Sequence, residues 1–277
     1  MERKSKFGSN QFLLVAIASM LVALHLHLVW HSENTDLMGS SILYWAAVGY
    51  LVWERRKDYI HAESDLVSTG VGALAIAFVL YRSLSLVGND LFLRLFPAIA
   101  AIGLSLLFSG FNRLGQHSRE LFLLFLFAIP PGLLSLFVKL SPLTAQFATF
   151  VLWCLGFDVT RQGVFISLPT GSIEVYAGCS GTALILQIVG LAAIFLMLFP
   201  TKLYQKVLVS GVAVTLAFCV NGLRVALMTL LVAMNQKELF DYWHLGDGSL
   251  IFSTVAVLLF GLFCFSFVDR MESSNSL

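Results

Sequence analysis

The sequence predicts an all-α, polytopic integral membrane protein with about eight transmembrane helices and a small extracytoplasmic β-hairpin before the sixth helix. Three observations lead to this fold class. Of the 277 residues, 58% are hydrophobic and only 12% are charged, about half the charged fraction of a typical soluble domain. The mean hydropathy is +0.86. The apolar residues also gather into long stretches rather than alternating with polar ones, which favours buried helices over soluble strands.

Eight apolar stretches are long enough to cross about 30 Å of hydrocarbon as helices. A helix satisfies its backbone hydrogen bonds within one segment, so it is the expected form of each span in lipid. The basic start of the chain resembles that of a signal peptide, but the long apolar run behind it, with no small-x-small cleavage site, predicts a retained first span. The predicted spans are 12–30, 37–53, 66–86, 91–109, 121–138, 182–199, 207–233 and 249–268.

Basic residues in the connections predict the orientation of the chain, because cytoplasmic connections are enriched in lysine and arginine. These residues are concentrated in the two tails and in every second connection, and the connections on the other side of the membrane hold only Lys139, Arg161 and Lys237. The asymmetry therefore predicts that both termini lie in the cytoplasm. The tails and every second connection together carry eleven basic residues, namely Arg3, Lys4, Lys6, Arg55, Arg56, Lys57, Arg113, Arg119, Lys202, Lys206 and Arg270.

The longest connection on the predicted outer side covers residues 139–180. Its segment 143–157 is apolar but short, and a ninth crossing there would move two lysines outside, so we interpret it as an interfacial or re-entrant helix. Residues 163–168 and 172–176 have strand character on either side of a Pro-Thr-Gly turn, which predicts a β-hairpin. No repeat or linker divides the chain. We therefore expect a single domain over 1–277, with its catalytic half at about 139–268.

Composition excludes several function classes. Sixteen acidic residues balance seventeen basic ones, so we expect no nucleic-acid partner. The four cysteines are far apart, without a CxxC pair, which argues against a disulfide framework or a zinc site. His25, His27 and His31 cluster at the end of the first span, but no carboxylate or cysteine accompanies them, so interfacial placement is favoured over metal binding. No cofactor is expected.

Three reactive side chains converge at the predicted outer face. Cys179 lies where the outer hairpin enters the sixth helix, Arg224 lies about ten residues below the outer end of the seventh, and His244 lies where the last outer loop enters the eighth. A thiol at a helix N-terminus is favoured as the thiolate. Arginine within an apolar helix costs about 2.5 kcal/mol or more, which suggests a functional cavity where it can hold an oxyanion.

Each of these residues also has a simpler explanation. A free cysteine is most often a small buried hydrophobe, which is the interpretation we adopt for Cys154, Cys219 and Cys264. The imidazole of His244 can act as a general base and acid, or it can belong to an interfacial aromatic belt.

Three further residues are expected to support the site. They are Ser180 and Gly181, which follow the thiol, and Asn221, which lies one turn before the arginine.

In these motifs the sequence resembles the exosortase/archaeosortase family of membrane-embedded cysteine transpeptidases. The resemblance rests on Cys179-Ser180-Gly181 opening a helix, on the run from Asn221 to Arg224 in the next helix, and on His244 before Gly248. It covers roughly residues 160–255 in order and at family-like spacing. The layout of the first half is also similar to the cyanobacterial branch of the family.

The resemblance implies a function. Family members process secreted proteins that end in a sorting signal made of a short motif such as Pro-Glu-Pro (the PEP-CTERM type), a transmembrane helix and a basic cluster. By that resemblance Cys179 attacks the substrate backbone, and Arg224 and His244 complete a Cys–Arg–His set chemically like that of soluble sortases. A thioester forms, and an amine or water resolves it. The implied location is the bacterial plasma membrane, with the site on the extracytoplasmic side and partners limited to sorting-signal proteins and membrane lipid.

Two other functions remain open at this point. Gly178-Cys-Ser-Gly181 satisfies a GxSG pattern, so a rhomboid-like intramembrane serine protease with Ser180 as nucleophile is one alternative. A non-enzymatic transporter with Arg82, Arg94 and Arg224 along an anion path is the other. Against transport, the chain shows no inverted repeat and no paired interrupted helices.

Overall fold

The computed structural model describes residues 9–56, 64–86, 88, 90–244 and 248–275. Within this part of the chain the fold consists of eleven α-helices, two short 3₁₀ helices (Phe111–His117 and Ala177–Cys179) and one small sheet. The helices are α1 (Ser9–His31), α2 (Thr35–Glu54), α3 (Leu66–Ser83), α4 (Phe92–Ser109), α5 (Ser118–Ala128), α6 (Pro131–Phe137), α7 (Ser141–Cys154), α8 (Thr182–Leu198), α9 (Leu203–Ala233), α10 (Lys237–His244) and α11 (Gly248–Asn275).

The predicted fold class is confirmed, and the count of eight spans is approximate. Six helices in the described ranges are long and apolar enough to cross a membrane, namely α1, α3, α4, α8, α9 and α11, and a seventh span results if α5 and α6 count as one. The chain is therefore a multi-pass membrane protein. Some basic residues behind the predicted orientation lie outside the described residues, namely Arg3, Lys4, Lys6 and Lys57.

The fifth predicted span, 121–138, is not one continuous helix. Helix α5 ends at Ala128, Ile129 is extended with ψ 115°, and α6 begins at Pro131. Proline has no N–H to continue a helix, and it disfavours helical backbone in the residue before it. The Pro130-Pro131 pair therefore divides the apolar stretch into two helices.

Tertiary contacts group the chain into two compact units, residues 1–130 and 131–277. In the first unit the expectation of an interfacial His25 is wrong. Its ring is fully buried, and the indole of Trp45 donates to Nδ1 at 3.0 Å. The other ring nitrogen, Nε2, lies 2.8 Å from the carbonyl oxygen of Leu93. Because the indole can only donate, Nε2 carries the proton and donates to that carbonyl.

The second unit contains every candidate site residue. Its sheet has three antiparallel strands in the order β1 (Thr160–Gln162), β2 (Phe165–Leu168) and β3 (Gly171–Glu174). The predicted hairpin corresponds to β2 and β3 and is joined by the expected turn, so the prediction lacked only β1. The three residues of β1 are polar and exposed. The sequence therefore shows no alternation of apolar and polar residues there that would predict a strand.

Helix α9 is the scaffold on which the rest of the second unit packs. On one side its small residues Ala213 and Ala217 meet α8 and α11 in an apolar core. On another side α7 packs so closely against α9 that a Cβ at Gly222 would lie 2.2 Å from the ring of Phe147. Ile166 and Val175 join the buried residues of α7 and α9. This packing fixes the sheet beside the C-terminal half of α9.

Candidate active site

Cys179 lies at the end of a short 3₁₀ helix, Ala177–Cys179, which connects the sheet to α8. Its Sγ lies 3.2 Å from Nε2 of His244, and only 7% of the residue is exposed. Helix α8 begins at Thr182, so the cysteine precedes the helix rather than opening it as the sequence suggested. The helix dipole therefore acts on the thiol from a greater distance than expected, and the thiol has polar contacts with the His244 imidazole and the Tyr176 hydroxyl.

Two side chains fix the backbone around Cys179. The amide Nδ2 of Asn221 in α9 donates to the Cys179 carbonyl at 2.9 Å, and the hydroxyl of Thr144 in α7 donates to the Ser180 carbonyl at 2.8 Å. Both donors are buried. A buried hydrogen bond that loses one partner leaves the other unsatisfied, at a cost of about 1–3 kcal/mol. Two helices therefore hold consecutive carbonyls of the cysteine loop in place.

Gly181 is required by its conformation and by its neighbour. Its φ is +89°, in the left-handed region, where residues with a Cβ are strained. A Cβ there would also lie 2.8 Å from Nδ2 of Asn221. Gly181 thus lets the backbone turn sharply into α8 and lets Asn221 reach the cysteine carbonyl.

His244 is the last residue of α10, and its Nε2 has two partners. In addition to the thiol, the hydroxyl of Tyr176 lies 3.1 Å away. Partial burial, followed by the charge of Arg224, lowers the pKa of His244 from its ordinary 6.5, and Asp241 opposes this shift. Burial raises the pKa of Tyr176 above its ordinary 10. At neutral pH the imidazole is therefore uncharged, and when its proton is on Nδ1 its Nε2 is free to accept a hydrogen bond from either neighbour.

Arg224 holds the end of α10 in place. Its Nε donates to the Trp243 carbonyl at 3.1 Å, and its Nη2 donates to the His244 carbonyl at 2.7 Å. The last carbonyls of a helix lack intrahelical partners and favour a nearby cation. The guanidinium is half-buried, and it also lies within electrostatic range of the thiol. Arg224 thus positions the imidazole through the backbone while placing a positive charge near Cys179.

Ser180 is directed away from His244. Its buried hydroxyl donates to the Ala177 carbonyl at 2.7 Å and lies 2.7 Å from the Thr182 hydroxyl. Within the described hydrogen bonds, the imidazole contacts the cysteine and the tyrosine and not the serine. Ser180 is therefore a structural member of the loop, and this geometry does not favour it as a nucleophile.

A cavity of about 220 Å³ opens beside Cys179 and His244. Strand β3 forms one wall, and α9 and α10 form the others. Its apolar lining and its two reactive groups are typical of a small substrate site. The lining consists of Ser172, Ile173, Glu174, Val175, Tyr176, Cys179, Val225, Met228, Val232, Phe240 and His244.

The structure brings together the three predicted catalytic residues and the three supporting residues, and it does not bring Arg82 or Arg94, which belong to the first unit, into this site. Tyr176 also belongs to the site, although the sequence motif gives it no role, and its position three residues before Cys179 is the only signal in the sequence that could have indicated it. Among the acidic residues near His244 in the sequence, Asp241 acts on it electrostatically, and Asp247 lies outside the described residues. No group of three metal-ligating side chains occurs in the part of the chain that the structure describes.

Comparisons with known proteins agree with these motifs. The chain is 29% identical over 104 residues to a protein named probable archaeosortase E from Methanocaldococcus jannaschii. That alignment covers 38% of this chain and 54% of the relative, so the chain spans about half the length of the curated protein it matches. No solved structure matches the chain significantly. The model of the family described as transmembrane exosortase (Exosortase_EpsH) matches residues 30–261, and the chain therefore belongs to the transmembrane exosortase family.

Proposed function

We propose that this protein is a membrane-embedded cysteine transpeptidase that cleaves the C-terminal sorting signal of secreted proteins and passes the acyl group to an acceptor. The observation that carries the proposal is the 3.2 Å separation between the Cys179 Sγ and the His244 Nε2. A nucleophile within hydrogen-bonding distance of a base that a third group orients is the arrangement used in covalent catalysis. Membership of the exosortase family supports a role in protein sorting.

The proposed reaction begins with proton transfer from the Cys179 thiol to Nε2 of His244. The thiolate attacks the carbonyl carbon of a peptide bond in the sorting signal, and the Arg224 charge stabilises the oxyanion that develops. The imidazolium then protonates the leaving amine as the carbon–nitrogen bond breaks, which leaves a thioester on Cys179. An acceptor amine or water then attacks the thioester and gives a proton to His244. The carbon–sulfur bond breaks as the acyl group passes to the acceptor, and His244 returns the proton to the Cys179 thiolate.

Tyr176 and Asn221 support this sequence of steps without supplying the nucleophile. The phenol lies 3.1 Å from Nε2, so it competes with the thiol for this nitrogen before substrate binds and can turn toward substrate after the thiol proton has moved. Asn221 holds the Cys179 carbonyl and thereby the direction of the side chain. Because the remaining geometry is preorganised, little reorganisation is needed at the moment of reaction.

The proposal includes a location and a substrate class. The excess of basic residues in alternate connections supports cytoplasmic termini and a site at the extracytoplasmic face of the bacterial plasma membrane. A site at the start of α8, at one end of a membrane-spanning helix, suits a substrate that is cut beside its own transmembrane helix. We therefore propose substrates with a Pro-Glu-Pro-like motif before such a helix and a basic cluster. Both compact units are proposed to serve one transpeptidase domain.

Processing of a reporter tests the proposal. A secreted protein ending in Pro-Glu-Pro, a membrane-spanning helix and an arginine cluster is co-expressed with the enzyme, and its loss of mass is followed. We expect Cys179→Ala to abolish processing, and we expect Cys154→Ala, at an exposed cysteine outside the site, to leave it intact. Ser180→Ala should retain processing. Processing that survives Cys179→Ala but not Ser180→Ala would replace the proposal with serine protease chemistry.

A further inference from the structure

Strand β3 lies at an edge of the sheet, and the backbone groups on its unpaired side face the cavity beside Cys179. The strand order is β1-β2-β3, so β3 pairs on one side only. The cavity lies on the other side of β3, because its lining includes four consecutive residues there, Ser172, Ile173, Glu174 and Val175. Successive side chains of a strand point to opposite faces. A cavity that touches four consecutive residues therefore runs along the edge of the strand rather than over one face.

The hydrogen-bond parity of β3 follows from one backbone contact. The N–H of Val175 donates to the Val164 carbonyl at 2.9 Å, in the register that pairs Ile166 with Ile173. Residues that face the partner strand alternate in an antiparallel pair. Ile173 and Gly171 therefore bond to β2, and the N–H and C=O groups of Ser172 and Glu174 point away from the sheet. The described backbone contacts assign those outer groups no other partner.

An unpaired edge of this kind is a template for an additional strand. Peptide-binding proteins use such edges by β-augmentation, in which main-chain bonds supply affinity and alternate side-chain pockets supply selectivity. The opposite edge of the sheet, at β1, contributes no residue to the cavity. The β3 edge also leads directly to the nucleophile, because only residues 175–178 separate Glu174 from Cys179.

We infer that the segment of the substrate next to the cleaved bond binds as an additional β-strand along the free edge of β3, paired with the backbone of Ser172 and Glu174. This inference rests on the proposed function and names how that function selects its substrate. Every second side chain of the segment faces the wall formed by Val225, Met228 and Val232, so it must be apolar. The intervening side chains face away from that wall and are free to be polar.

The mode of binding explains how a short signal is recognised without a deep cavity. Each pairing residue contributes backbone hydrogen bonds that do not depend on its side chain. A signal in a folded or helical state cannot make these bonds. The segment must therefore be extended, and cleavage is confined to the extended stretch that adjoins the substrate's own transmembrane helix.

A proline at residue 172 tests the pairing from the side of the enzyme. The Ser172 N–H points outward, so Ser172→Pro removes one donor from the free edge and keeps the bonds to β2, a placement that edge strands tolerate. Ser172→Ala removes the same hydroxyl and keeps the donor. We expect the KM of Ser172→Pro for the reporter to exceed that of Ser172→Ala by about tenfold, with similar kcat values. Equal KM values in two folded variants would overturn the inference.

A proline scan of the reporter tests it from the side of the substrate and needs no enzyme variant. Each residue before the reporter's membrane helix is replaced in turn by proline and by alanine, and the ratio of the two processing rates is measured. The inference predicts low proline-to-alanine ratios at every second residue, where an N–H would bond to β3. Ratios without this period of two contradict it. If wild-type enzyme cleaves the reporter and the Cys179→Ala variant does not, but the ratios are flat, the proposed function stands and this inference alone fails.

Discussion

The Sγ of Cys179 and the Nε2 of His244 lie 3.2 Å apart although 65 residues separate them in sequence. The contact depends on two supports. Asn221 and Thr144 hold the cysteine loop from the side of α9 and α7, and Arg224 holds the end of α10 that carries the imidazole.

The first prediction concerns the pH dependence of processing. If His244 acts as a base, it must be neutral, so the rate falls as pH drops through its pKa. Burial and Arg224 lower that pKa from 6.5, so the acidic limb of the profile should lie below pH 6.5. Asp241→Asn removes a carboxylate that raises the pKa and should move the limb to still lower pH. Asp158→Asn, at an exposed carboxylate elsewhere in the same unit, is the control and should leave the limb in place.

The second prediction separates the charge of Arg224 from its geometry. Lysine keeps the positive charge but cannot donate to two carbonyls in the fixed geometry of a guanidinium. We expect Arg224→Lys to lower kcat about tenfold to a hundredfold, because the imidazole is displaced from the thiol. A small thiol reagent should also alkylate Cys179 more slowly in this variant than in the wild-type enzyme. A lysine variant with unchanged kcat would show that charge alone is needed.

The third prediction concerns the turn into α8. Gly181→Ala combines a left-handed φ of +89° with a close contact to Asn221. We expect it to destabilise the protein by about 1–3 kcal/mol and to impair processing. Gly211→Ala, at an exposed position in α9 with open space around its Cβ position, is the matched control. Equal thermal stability of the two variants in detergent would contradict the role given to Gly181.

The fourth prediction concerns the side of the membrane on which the thiol lies. In a protein carrying Cys154→Ala, Cys219→Ala and Cys264→Ala, a membrane-impermeant maleimide should label Cys179 from outside intact cells or spheroplasts. Glu174 and Tyr176 are exposed at the mouth of the same cavity, which gives the reagent a route. Labelling only after the cytoplasmic face has been opened would reverse the proposed orientation.

The helices of this chain were predictable because long apolar stretches permit few other structures in lipid. The break between α5 and α6 follows from Pro130-Pro131, a pair that predicts the interruption of one helix. The failure was local. Helix α10 was missed because its eight residues mix charged and aromatic side chains and are too few for a clear period. Its capping by Arg224 is a tertiary contact that no local pattern reports.

The candidate site was predictable as a set of residues but not as a geometry. Cys179, Arg224 and His244 were recognisable because each is unusual for its place in an apolar chain. Their roles required coordinates. The arginine bonds to the carbonyls of Trp243 and His244 rather than directly to the thiol in the hydrogen bonds described, and Tyr176 joins the site through its phenol. Neither contact is encoded by spacing along the chain.

The most direct test of the account is to trap the acyl group on Cys179. The reporter is mixed with purified enzyme without an added amine acceptor, the reaction is quenched in acid to preserve a thioester, and peptides are analysed by mass spectrometry. The account predicts that a fragment of the reporter is attached to the peptide containing Cys179, that neutral hydroxylamine releases it, and that Cys179→Ala abolishes it. Reporter cleavage by a Cys179→Ala enzyme, or an acyl group found on Ser180, would contradict the central claim.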